Sequence, residues 1–173
     1  MHGLGGMDIH SEIARARLLH EQFGAELMAD SGVLELIEKY RDAIDRTAMT
    51  MQTMGIDRAC ALCAADVPGG CCFPGIAEGY DHLLLLINLL YGHPLPDTAE
   101  LAECCMFVGE KGCMLLARYY YCVQFLCPRL HEMLDPGDVK ALLCLVGDEI
   151  HAGWELKRLL RAWLRNRGQV ANL

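Results

Sequence analysis

From Val33 to Met54 apolar or small side chains fall at Val33, Ile37, Tyr40, Ile44, Thr47, Met51 and Met54, in steps that alternate between four residues and three. That spacing returns to one side of an α-helix at every turn, whereas a strand would need strict alternation, so this part of the chain is committed to a helix with one buried face. A second stripe precedes it: Ile9, Ile13, Ala16, Leu19, Phe23 and Leu27 predict a helix of the same kind. Between the two, "ADSGV" offers a glycine for termination and Asp30 or Ser31 as the cap of the next helix.

Downstream, Glu78 to Tyr91 predicts a shorter helix that is apolar almost all round and therefore central, closed by Gly92 and Pro94. Asp97 or Thr98 is placed to cap a short helix reaching about Cys105, and the segment after Cys113 reads as helical to Phe125. "LDPGD" is a turn, with Asp138 positioned to cap a final helix. The buried side of that helix is expected to carry Val139, Leu142, Val146, Ile150, Trp154, Leu160 and Trp163. No strand alternation competes with these patterns. The expected class is all-α: a single-domain helical bundle over residues 1–173, interrupted by two cysteine-rich metal-binding inserts.

Length and charge remove several function classes. At 173 residues and 53% hydrophobic the chain can bury one sizeable core. A formal net charge of −8 disfavours a nucleic acid partner, because phosphate backbones reward clustered positive charge. The longest apolar run, "LLLLINLL", is far shorter than the roughly 20 residues of a membrane span, and the first residues lack the apolar core of a secretory signal. A cytoplasmic protein is expected. "MHGLGGMD" lacks the strand and helix context of a nucleotide-binding loop, and no Ser, His and Asp set stands at readable spacing.

In that compartment ten cysteines mean metal or redox chemistry rather than a disulfide framework. Cys60, Cys63, Cys71 and Cys72 form one cluster, and Cys104, Cys105, Cys113, Cys122 and Cys127 a second. Cys144, inside "ALLCLVG", reads as packing, since free cysteine is often a small buried hydrophobe. Soft thiolates suit zinc, iron–sulfur clusters and Cu(I), and several of them bound to one metal offset the cost of bringing irregular loops together.

The order "CALC", then "GGCC", then "CMFVGEKGC", then "RYYYCVQFLC" resembles the zinc- or iron-chelating cysteine-cluster proteins known as the YkgJ-like family. The resemblance spans about residues 60–128. It implies eight thiolate ligands, Cys60, Cys63, Cys71 and Cys72 from the first half and Cys105, Cys113, Cys122 and Cys127 from the second, with Arg118 in place of the family's arginine. The chain departs from the pattern in having two residues between Cys60 and Cys63 where the family has three, a longer gap before Cys71, and Tyr119 where proline is usual. A related cysteine segment occurs in a flagellin lysine methylase, but no methyl-donor site is visible here, so chelation alone carries over. Uneven pairs, and the difficulty of aiming adjacent Cys71 and Cys72 at one metal, favour an iron–sulfur cluster over zinc.

The implied function is electron transfer, metal or cluster delivery, or maturation of a partner protein. Two alternatives stand beside it: a metal-free thiol–disulfide protein or sensor using Cys60 and Cys63, and a zinc-stabilised helical adaptor. Phe107, Tyr119, Tyr120, Tyr121 and Phe125 are core residues or the apolar shell of such a centre. Met49, Met51 and Met54 read as core filler before copper ligands. Glu78 with His82, and Asp148 with His151, have helical spacing but fall short of a di-iron set, and pairing on a helix surface is the simpler reading. The closing "KRLLRAWLRNR" reads as a solvated basic face, with Trp154 and Trp163 beside the arginines as the place where an acidic protein partner would dock.

Overall fold

The computed structural model describes residues 8–66 and 70–168. Within them run α1 (Ile9–Ala29), α2 (Ser31–Thr53), α3 (Ile56–Asp66), a 3-10 turn at Pro74–Gly79, α4 (His82–Leu90), β1 (Val108–Gly109), β2 (Gly112–Cys113), α5 (Tyr120–Gln124), α6 (Pro128–Met133) and α7 (Pro136–Arg165). The fold is mostly α-helical. No helix among the described residues is long and apolar enough to cross a membrane.

One residue makes the first corner. Asp30 ends α1 through its backbone N–H, which donates to the carbonyls of Glu26 and Leu27. Its side chain opens α2 by accepting from the N–H groups of Gly32 and Val33 at 3.0 and 3.1 Å. Its second carboxylate oxygen accepts from Trp163 Nε1 at 3.1 Å, tying the corner to the far end of α7. The stripe then does what its spacing requires: Val33, Ile37, Tyr40, Ile44, Thr47 and Met51 are all buried. Its principal partner is α7, and α1 packs in the same way against α4. Gly153 lets α7 come close, because a Cβ there would lie 2.8 Å from the Tyr40 ring.

As expected, α4 is central: Leu83, Leu85, Leu86 and Ile87 have no exposed surface. Its N-cap is Asp81, which accepts from Leu84 N–H at 2.9 Å and pairs with Lys157 of α7 at 2.7 Å. His82 finds its carboxylate on another helix rather than at Glu78, which is exposed. Its ring Nδ1 lies 2.8 Å from buried Glu12 of α1.

Several expectations are corrected. The short helix foreseen up to Cys105 is a series of bends and turns, and residues 114–119 are non-helical, so only Tyr120–Gln124 forms a helix before Phe125. The segment turns back instead as a two-stranded ladder, Val108 opposite Cys113 and Gly109 opposite Gly112, which two residues per strand are too short to announce by alternation. The final helix is capped at Asp135 with Pro136 in its first turn, three residues before Asp138, in keeping with proline's preference for that position. Trp154 is 57% exposed and Cys144 is also exposed, so neither packs in the core. Trp163 is buried, as its place in the stripe of the final helix predicts, edge-on to Phe23 at 5.8 Å with the Arg167 guanidinium over its ring, which removes it from any docking face. His151 faces Glu155 at 3.8 Å on the surface.

Candidate functional site

Cys60 and Cys63 sit one turn apart on α3, and Gly55, at φ +71, makes the left-handed corner that starts this helix after α2. They are therefore helical residues, where the spacing suggested a loop insert. Cys71 and Cys72 follow in a turn before Pro74. Cys105 is fixed to this turn by the backbone, its N–H donating to the Cys72 carbonyl at 2.6 Å. Just ahead of it Glu103, at φ +61, takes the left-handed conformation that non-glycine residues seldom adopt. Cys113 ends β2, Cys122 lies on α5, and Cys127 is the N-cap residue of α6.

The two cysteine clusters thus meet around connected space. A cavity of about 540 Å³ is walled by Cys60, Cys71, Cys72, Cys113 and Cys122, with Arg118 and Lys111 among the other side chains. A smaller one, of about 130 Å³, is walled by Cys60, Cys63, Cys71, Cys72, Cys104 and Cys127. Cys105 is buried behind the larger cavity, beside Cys113 and Cys122. All eight thiols named from the sequence are brought together, and Cys104 joins them, while Cys144 stays outside on α7. Every cysteine is a free thiol.

The aromatic residues divide. Phe107 is fully buried against Tyr80, ring centroids 4.8 Å apart, while Tyr121 stacks on Phe125 at 4.8 Å in the wall of the large cavity. Tyr120 is exposed. Met51 is buried and Met54 half-buried, whereas Met49 is exposed at the cavity rim.

Burial and mutual crowding set the protonation of the thiols. Burial pushes Cys60 up to about 11, with Cys71, Cys127 and Cys63 adding repulsion and Arg118 opposing it. Burial likewise raises Cys105 to about 12 and Cys122 to about 11, the latter with further repulsion from Cys113. Cys113 has accessible surface, but that surface faces the cavity, and the surrounding protein raises its thiol while Arg118 pulls the other way. Cys71 is the exception. A hydrogen bond with Cys72 holds it down to about 6, and the same bond, with burial, drives Cys72 far up.

Sequence reasoning named Arg118 only by resemblance and missed the side chains that hold its surroundings. Tyr80 donates its hydroxyl to Cys122 Sγ at 3.9 Å and also reaches Cys113. Asn88, buried on α4, accepts from Leu116 N–H at 2.9 Å and Ala117 N–H at 3.0 Å and donates to the Ala117 carbonyl at 2.9 Å. This grip places Arg118, whose Nη2 lies 3.5 Å from Met51 Sδ. Behind it Glu149 is buried beside Thr47, its carboxyl raised by burial and partly lowered again by Thr47 and Arg118. Nothing in spacing or composition marks Tyr80, Asn88 or Glu149, because each meets its partners only across the fold.

The donor set suits a soft cation in type and number: nine thiols from six segments, eight of them buried or half-buried, with arginine charge nearby. As they stand, no three His, Cys, Asp or Glu side chains among the described residues converge closely enough to hold an ion, so binding requires the thiols to close in from the cavity walls. Crowded thiols resist losing protons together, and a metal reverses that resistance by taking the place of the protons. No protein-family model, curated protein or solved structure matches the chain.

Proposed function

We propose that the chain is a metal-binding cysteine-cluster protein, holding an iron–sulfur cluster or zinc and serving electron transfer, metal or cluster delivery, or maturation of a partner protein. The observation that carries this reading is the meeting of two sequence-distant cysteine groups around shared cavities. The resemblance to the YkgJ-like chelators supports it from the sequence side. On this reading the stretches around Cys60 and Cys105 act as one module over residues 60–128, set on a helical scaffold in a reducing cytoplasm. The ligands are Cys60, Cys63, Cys71, Cys72, Cys105, Cys113, Cys122 and Cys127.

An iron–sulfur cluster supplies one-electron chemistry, and zinc supplies a redox-inert crosslink. The chain's own residues do the rest. Arg118 offsets thiolate charge, the Tyr80 hydroxyl donates toward Cys122, and Phe107 and Tyr121 limit water. The test is anaerobic expression with iron supplied, followed by iron, zinc and acid-labile sulfide counts per chain and a visible spectrum. Iron with matching sulfide supports a cluster, and zinc without sulfide supports a structural centre or adaptor. No metal under either condition overturns the reading.

The lowered Cys71 thiol favours a second reading, a nucleophile for thiol–disulfide exchange without metal. Its hydrogen-bonded neighbour is a poor resolving thiol. Adjacent Cα atoms stand about 3.8 Å apart, shorter by roughly half an ångström or more than the usual 4.4 to 6.8 Å of a disulfide. Metal-free protein that turns over a disulfide substrate, and loses that activity in Cys71→Ser, is the result this second reading requires.

A further inference from the structure

The eight thiols do not form one ring. Cys60 and Cys63 lie on one face of α3, and they share the smaller cavity with Cys71 and Cys72 and with Cys127 at the start of α6. On the other side, Cys72 is bonded through its carbonyl to the Cys105 N–H, and the ladder that follows brings Cys113 back while α5 brings Cys122. Cys72, Cys113 and Cys122 share the larger cavity, which Cys60 and Cys71 also line, and buried Cys105 has Cys113 and Cys122 as neighbours. Cys60 has Cys71, Cys127 and Cys63 as its charged neighbours, whereas Cys72, besides adjacent Cys71, has Cys122 and Cys113. Between the two groups stand Cys71 and Cys72, whose thiols are hydrogen-bonded to each other and which line both cavities.

The geometry points to two separate four-thiolate metal centres: one made by Cys60, Cys63, Cys71 and Cys127, the other by Cys72, Cys105, Cys113 and Cys122. This rests on the metal-binding reading above and adds the number of centres and the ligands of each. Four thiolates are the full complement of a tetrahedral site. Eight around a single ion would leave half of them without a metal bond and their charges unopposed. Arg129 stands in the wall of the smaller cavity and Arg118 in that of the larger, where its charge also reaches Cys60. The adjacent cysteines, which cannot aim equally at one ion, become the point where one chain segment serves both. Cys104 is left out of both sets: it lines the smaller cavity, but its thiol is turned to the Ala64 carbonyl, 3.6 Å away. Each ion that binds displaces the protons its thiols still carry, so uptake releases acid into a weakly buffered solution.

The experiment uses the full chain, reduced and titrated anaerobically with cadmium, whose thiolate charge-transfer absorption reports the number of sulfur bonds per ion. Two ions per chain are expected, each with the absorption of four thiolates. Cys63→Ser with Cys127→Ser is expected to retain one ion, and Cys113→Ser with Cys122→Ser to retain the other, seen as two different single resonances by cadmium NMR. Cys104→Ser is expected to retain both. A single ion in the unmodified chain overturns the proposal, and so does loss of both ions from either paired variant that keeps its helical circular dichroism. The count in the unmodified chain decides the matter even where a variant fails to fold. One ion would leave the metal-binding reading standing while removing the second centre, whereas no binding of cadmium, zinc or iron with sulfide removes both.

Discussion

Replacing Asn88 by leucine tests whether the cavity wall is held from α4. The two side chains are similar in size, so the change leaves little void and isolates the hydrogen bonds. Asn88 now satisfies the N–H groups of Leu116 and Ala117 and the carbonyl of Ala117, at distances between 2.9 and 3.0 Å. Its fourth bond, to the Leu84 carbonyl at 3.0 Å, matters less, because that carbonyl keeps its helical partner. Three backbone groups are therefore stranded. Ala117 is fully buried and Leu116 partly so. At roughly 1–3 kcal/mol for each unsatisfied buried group, and with Leu116 able to turn toward water, the loss is about 3–5 kcal/mol. That is a large share of the roughly 5–15 kcal/mol that holds a typical domain together. It corresponds to a fall in Tm of roughly 6–20 °C for a chain of this size. Urea unfolding followed by circular dichroism gives the total, and amide exchange at Leu116 and Ala117 locates it. Because residues 114–118 carry Arg118 into the cavity, alkylation of Cys113 and Cys122 is also expected to quicken. A loss below about 1 kcal/mol, with unchanged exchange at those two amides, would refute the view that Asn88 organises this wall.

Gly153→Ala sets a helix-propensity gain of about 1 kcal/mol against overpacking of about 1–3 kcal/mol, because the new methyl would lie 2.8 Å from the buried Tyr40 ring. Net destabilisation in urea is expected, and a stabilised variant would show that α2 and α7 are further apart. Glu149→Gln concerns pH: burial raises the folded carboxyl above its unfolded value, so at neutral pH the wild type carries a penalty that is relieved as pH falls through the raised value toward the ordinary carboxylate range. The variant is expected to be the more stable protein at neutral pH, with the difference shrinking in acid, and a pH-independent difference would contradict that cause. In reduced, metal-free protein at pH 7, Cys71 is expected to be the first thiol alkylated by iodoacetamide, and Cys72→Ala to slow it by removing the hydrogen bond that holds it down to about 6. Peptide mapping by mass spectrometry reads both results.

The sequence displays a residue's neighbours clearly when they lie within one turn of a helix and poorly when they lie across the fold. The stripe from Val33 to Met51 was legible because a long amphipathic helix repeats its message at every turn, and α4 because a helix apolar all round has only one place to go. Trp154 was misplaced by the same rule. It sits within reach of the α7 stripe by spacing, but the rotation of a 30-residue helix turns it to solvent, under Arg158. A helix from Asp97 or Thr98 to about Cys105, and another after Cys113, were expected where residues 97–105 and 114–119 are non-helical. Their structure is set instead by distant side chains: Glu100 accepting from the Glu110 N–H at 2.9 Å, and Asn88 holding Leu116 and Ala117.

The candidate site shows the same division in sharper form. Cysteine is chemically conspicuous, so the eight thiols could be named in advance, and the arrival of most of them around two adjoining cavities follows from a chain that returns to α3 twice, once through the ladder and once through α6. Which thiol neighbours which could not be read from spacing, since Cys72 shares one cavity wall with nearby Cys63 and another with the distant Cys113. The contact that settles this, the Cys105 N–H on the Cys72 carbonyl, belongs to the backbone and leaves no trace in residue type. The first-half and second-half cysteines are therefore not two modules in space. Each half contributes to both groups, so neither four-thiol set can assemble until the segment around Cys71 has met Cys127 on one side and Cys105 on the other. Binding at either group should accordingly stabilise the chain against urea as a whole, because closing one group fixes the segment that the other shares.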